Sequence, residues 1–82
     1  MRIYTTSYCG YCRMAKRLLG EKGVAFDEID VTDDPDVRER LVRETGRRTV
    51  PQVFIDDRPI GGFAELQALD LGGALDRLLA DA

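Results

Sequence analysis

Two cysteines separated by two residues, Cys9-Gly10-Tyr11-Cys12, stand where a short β-prone run ends and a helical run begins, and no other cysteine occurs in the chain. At a helix N-terminus the first backbone N–H groups lack intrahelical partners and the macrodipole is positive, so an anion is stabilised there. That anion is the Cys9 thiolate, the form of the side chain that attacks disulfides. Cys12 lies one turn further on the same face, within reach for a disulfide back to Cys9. One sulfur attacks and the other resolves, so the spacing describes a dithiol redox couple.

Plainer readings of the pair are weaker. A structural zinc site needs four Cys or His ligands, and this chain has two cysteines and no histidine. A structural disulfide here closes only a four-residue loop and constrains the unfolded chain little. The opening Met1-Arg2-Ile3-Tyr4-Thr5 has no signal-peptide apolar stretch, so a reducing compartment, the cytoplasm, is expected. Two buried, inert thiols are the remaining plain alternative.

Eighty-two residues suffice for one domain, residues 1–82, with a single core. A net charge of −3 argues against general nucleic-acid binding, and no apolar run reaches membrane length. Basic residues gather locally at Arg13, Lys16 and Arg17 and at Arg47-Arg48. A solvated helix face is the default account of such clusters; a positive field around the thiolate is the alternative.

The order of apolar patterns points to an α/β architecture. Arg2 to Thr5 suits a first strand. Met14, Ala15, Leu18 and Leu19 recur at helical spacing, and Gly20 and Gly23 bracket the end of that helix. Val24 to Val31 reads as a second strand, and a strand–helix–strand unit of this length favours parallel pairing. Asp34-Pro35 is an N-cap followed by proline at the first helical position, and Gly46 ends that helix. Gln52 to Ile55 and Arg58 to Ile60 form a hairpin around Asp56-Asp57. From Phe63 the pattern is helical again, broken by Gly72-Gly73. The predicted fold is βαβαββα: a four-stranded mixed sheet flanked by helices, thioredoxin-like by its C-x-x-C at the first strand-to-helix junction.

Two further segments bear on function. Thr49-Val50-Pro51 precedes the third strand. Its proline is either an ordinary trans residue at a strand start or a cis residue that turns the preceding backbone outward. Gly61-Gly62-Phe63-Ala64-Glu65 leads into a helix whose free N–H groups can hold a carboxylate, although taken alone it is only a strand-to-helix turn.

Together with Cys9-Gly10-Tyr11-Cys12 and Gly46-Arg47-Arg48-Thr49-Val50-Pro51, that segment resembles the glutaredoxin family over essentially the whole chain, most closely its small bacterial dithiol members. The resemblance implies a glutathione-dependent thiol-disulfide oxidoreductase that reduces protein disulfides and protein–glutathione mixed disulfides. By match to the family motif, Cys9 is the nucleophile and Cys12 the resolving thiol. Tyr11 lines the glutathione groove, Pro51 is cis, and the Val50 backbone pairs with the cysteinyl part of glutathione beside Thr49. Gly62, Phe63 and Ala64 offer N–H groups to the γ-glutamyl carboxylate, with Glu65 beside them, and Arg38 meets the glycyl carboxylate.

Three positions depart from the family pattern. Gly10 replaces a common proline, Thr6 a common lysine, and Ala64 the first of two acids; Arg13 and Arg47 are the nearest replacements for the missing cation. Two other readings accompany the resemblance. One is a homodimer bridging a [2Fe–2S] cluster through Cys9 and glutathione; the other is a mycoredoxin-like enzyme using a different small thiol. Without a cluster the expected state is a monomer, with no bound metal and no nucleic-acid or membrane partner.

Overall fold

The computed structural model describes residues 1–80. Its elements are β1 (Arg2–Thr5), α1 (Gly10–Glu21), β2 (Asp27–Asp30), α2 (Pro35–Thr45), β3 (Gln52–Ile55), β4 (Arg58–Gly61), α3 (Phe63–Leu71) and α4 (Ala74–Ala80). The sheet order is β2-β1-β3-β4, with β1 and β2 parallel and the other two pairings antiparallel. This is the expected thioredoxin-like mixed sheet, its last helical stretch split at Gly72-Gly73.

Strand alternation divides the core between the two sheet faces. Ile3, Val53 and Ile55 pack with Ala15 and Leu19 of α1, Leu66 of α3 and Leu75 of α4. Tyr4 and Phe54 face the other way and pack with Val31 and Leu41. Their rings meet edge-on at 5.5 Å, and the Arg2 guanidinium lies 4.9 Å from the Phe54 ring centroid. Lys22 joins the helices on the first face, with its Nζ 2.6 Å from Asp70 and 3.0 Å from Asp76.

Local chemistry sets the boundaries. The Asp34 side chain accepts from the Val37 N–H at 3.2 Å, and Pro35 occupies the first turn of α2. Gly46 ends α2 with φ +72°, a left-handed conformation suited to glycine. The second strand is shorter than the sequence pattern suggests. Val24 and Phe26 pack against the core before pairing starts, and only Asp27-Glu28-Ile29-Asp30 joins the ladder. β2 and β4 form the two sheet edges, the first rich in carboxylates and the second containing Pro59.

Strand register places three separated segments together. Tyr4 pairs with Gln52, which sets Pro51 beside the end of β1, and Val53 pairs with Gly61, which sets Gly62 beside the same loop. A Cβ on Gly62 would come within 3.2 Å of the Pro51 carbonyl oxygen, so this approach leaves room for little more than glycine.

Candidate active site

Cys9 is the N-cap of α1 and is partly exposed, whereas Cys12 is only 1% exposed. The Cys12 backbone N–H donates to Cys9 Sγ at 3.4 Å, as the helix N-terminus argument requires. The Cys9 thiol donates to the Val50 carbonyl at 3.4 Å. Burial pushes the Cys12 thiol up to about 11; a backbone hydrogen bond with Thr6 opposes the rise, and the neighbouring Cys9 adds to it. Cys12 therefore keeps its proton at neutral pH, and Cys9 is the more accessible of the two sulfurs.

The Val50–Pro51 peptide bond is cis. From there a groove of about 350 Å³ runs to the start of α3, lined by Tyr11, Thr49, Val50, Pro51, Gly62, Phe63, Ala64 and Glu65, and also by Arg47 and Gln67. The Tyr11 and Phe63 rings stand 6.2 Å apart. Every groove residue expected from the sequence except Arg38 lines this one feature. Arg38 lies instead in an adjoining hollow of about 510 Å³ that shares Arg47, Thr49 and Val50 with the groove, and there it donates to the Tyr8 hydroxyl at 3.0 Å.

Two supporting residues are outside the sequence-based set. Arg47, named only as a substitute cation, forms an ion pair with Glu65 across the end of the groove. Glu65 also accepts from the Gly62 N–H at 3.2 Å, the glutamate half of a capping box. Arg47 first, and the Gly62 N–H second, hold the Glu65 carboxyl below its ordinary range. Gln52 is buried beneath the loop, and its Nε2 donates to the Thr49 carbonyl at 2.8 Å and to the Thr49 hydroxyl at 3.4 Å. The glycine before Phe63 and the basic residue near Thr49-Val50-Pro51 were visible signals; the pairing of Arg47 with Glu65 was not. Arg13 does not line the groove, and Thr6 is buried.

Among the described residues there is no group of three or more His, Cys, Asp or Glu side chains placed to hold a metal ion, and no helix is long and apolar enough to cross a membrane. A half-exposed cysteine capping a helix over a buried partner, on this sheet, defines a thiol-disulfide oxidoreductase of thioredoxin-like fold. The chain belongs to the glutaredoxin family, whose family model matches residues 2–60. It is 48% identical over 79 residues to glutaredoxin 3 of Escherichia coli (strain K12), covering 96% of this chain and 95% of that protein. It is 47% identical over 78 residues to a glutaredoxin of Pseudomonas aeruginosa, covering 95% and 93%. Among solved structures, a buckwheat glutaredoxin–glutathione complex superposes with a TM-score of 0.92 at 31% identity, covering 98% of this chain and 76% of that one. Glutaredoxin from Brucella melitensis gives 0.86 at 45% identity, covering 95% and 85%.

Proposed function

We propose that this protein is a glutathione-dependent oxidoreductase that reduces protein–glutathione mixed disulfides and protein disulfides, working as a monomeric single domain in a reducing cytoplasm. The observation that carries the reading is the groove that meets Val50, the residue whose carbonyl accepts from Cys9, and ends at the N-terminus of α3. An extended tripeptide thiol fits it in one direction. Its cysteinyl backbone pairs with Val50, and its γ-glutamyl carboxylate meets the N–H groups at Gly62, Phe63 and Ala64. Its glycyl carboxylate then reaches the hollow holding Arg38 and Arg48, with Arg47 on the shared wall. The bound glutathione structure among the relatives supports the same assignment.

In the monothiol route the Cys9 thiolate attacks the glutathione sulfur of a mixed disulfide. The S–S bond breaks, and the repaired protein leaves as a thiolate that takes a proton from water. A second glutathione thiolate attacks the glutathione sulfur of that mixed disulfide, returning the Cys9 thiolate and releasing glutathione disulfide. With a protein disulfide, Cys9 forms the mixed disulfide first. Cys12 then gives up its proton and displaces the substrate, leaving a Cys9–Cys12 disulfide that two glutathiones reduce in turn.

The test is a glutathione-dependent deglutathionylation assay on the wild type, Cys9→Ser and Cys12→Ser. Cys9→Ser should lose all activity. Cys12→Ser should keep deglutathionylation and lose reduction of intramolecular protein disulfides. Loss of deglutathionylation in Cys12→Ser, or preference of the wild type for another small thiol, overturns the assignment.

A further inference from the structure

The outward face of α1 continues directly from the reactive loop and has no partner in the fold. The helix buries Cys12, Ala15 and Leu19 and turns Gly10, Arg13, Met14 and Arg17 to solvent, at the i, i+3, i+4, i+7 spacing of a single face. With Tyr11 these residues line a hollow of about 720 Å³ that contains no acidic side chain. Two of its lining side chains are largely apolar and well exposed, Tyr11 at 63% and Met14 at 48%. Arg13 makes no ion pair among the described residues, and Arg17 pairs only with Glu21 on its own helix, both ends of that pair being largely exposed. A cationic, apolar face on a chain of net charge −3 is a local departure from the whole molecule.

We propose that this face docks the polypeptide part of the substrate, and that it fits a segment carrying acidic and apolar side chains next to its reactive sulfur. The proposal rests on the oxidoreductase reading above and names the kind of polypeptide that the site takes. Carboxylates answer Arg13 and Arg17, and an aliphatic or aromatic side chain covers Met14 and Tyr11. Tyr11 lines both this hollow and the groove, so a glutathione moiety and a polypeptide can lie on its two sides while joined through one sulfur at Cys9.

The test uses two glutathionylated peptides that differ only in flanking residues, Glu-Leu in one and Lys-Leu in the other. Single-turnover rates are measured with prereduced protein, and hydroxyethyl disulfide serves as a small substrate without a polypeptide. Wild type should favour the acidic peptide by about tenfold at low salt, with the preference shrinking as salt is raised. Arg13→Glu/Arg17→Glu should abolish or invert the ratio of the two peptide rates, each normalised to the same protein's hydroxyethyl disulfide rate. Arg40→Glu/Arg43→Glu, which changes net charge equally on the exposed side of α2, should leave the preference intact. An unchanged normalised preference in the first variant, or equal loss of preference in both variants, overturns the proposal. So does a concentration-dependent dimer abolished by Arg13→Glu/Arg17→Glu, which would assign the face to a second copy of the chain. Failure of wild type to turn over with glutathione refutes the glutathione reading instead, and the peptide preference remains measurable from the prereduced protein.

Discussion

Replacing Cys12 by serine exchanges one buried atom, and its effect on stability should vary with pH in a way set by that burial. The folded Cys12 thiol keeps its proton up to about 11, against an ordinary value of 9.0 for the unfolded chain. Between those values the folded state binds more protons than the unfolded state, so stability falls as pH rises. The contribution is fully present below about pH 9 and is lost on approach to pH 11. A rise of this size corresponds to about 2–3 kcal/mol. Serine does not titrate in this range, and ionisable groups remote from position 12 cancel in the difference; Cys9, which adds to the rise, titrates together with Cys12, so the difference reports the thiol pair. Urea unfolding of the wild type and Cys12→Ser under strong reductant should therefore give a stability difference that is constant near neutrality. By pH 11 the wild type should have lost about 2–3 kcal/mol relative to the variant. A difference flat to within about 0.5 kcal/mol would refute the argument that burial holds the proton on Cys12. The functional meaning is direct. At pH 7 only on the order of one molecule in ten thousand carries a Cys12 thiolate, so the resolving role proposed for Cys12 requires a mixed disulfide held against it.

Two further perturbations probe the groove. Gly61 has φ +121°, and a Cβ there would lie 2.7 Å from Glu65 Oε1 and 2.9 Å from Glu65 Cβ. Gly61→Ala should cost about 2 kcal/mol or more and lower the Tm by about 10 °C, read by circular dichroism; an unchanged Tm would show that α3 can shift freely. Arg47→Ala should move the Glu65 carboxyl back toward 4.5 in an NMR titration, because Arg47 is the main cause of its lowering. Because Glu65 is depressed in the fold, its small contribution is present above 4.5 and lost on acidification. With both partners partly exposed, the stability change should stay below about 0.5 kcal/mol. The larger effect should be a severalfold rise in KM for glutathione with kcat nearly unchanged.

The sequence made the reactive pair legible because C-x-x-C chemistry is local: the nucleophile, the helix start and the resolving thiol lie within four residues. Element order was legible too, since Asp34-Pro35, Gly46 and Gly72-Gly73 punctuate the chain through backbone preferences that act at their own positions. The second strand was overextended because burial and ladder pairing are different events. Val24 and Phe26 pack on the core without joining the sheet. The groove was legible only through its resemblance, as nothing in residues 49–51 or 61–65 alone says that register will set them side by side. Arg47 shows the limit most clearly. Its partner Glu65 lies eighteen positions away, and only the folded sheet brings them together. Arg38 lies in the adjoining hollow and donates to the Tyr8 hydroxyl, a contact thirty positions distant that the sequence does not disclose.

The two sheet edges bear on how such a molecule survives its own occupation. A protein with the proposed activity holds partly unfolded or oxidised clients close to its surface, where an unpaired strand invites them to continue the sheet. Asp27-Glu28-Ile29-Asp30 lines one edge with carboxylates, and Pro59 leaves the other short of a backbone donor. Under the proposed function, covalent exchange at Cys9 is thereby kept separate from backbone annealing along either sheet edge.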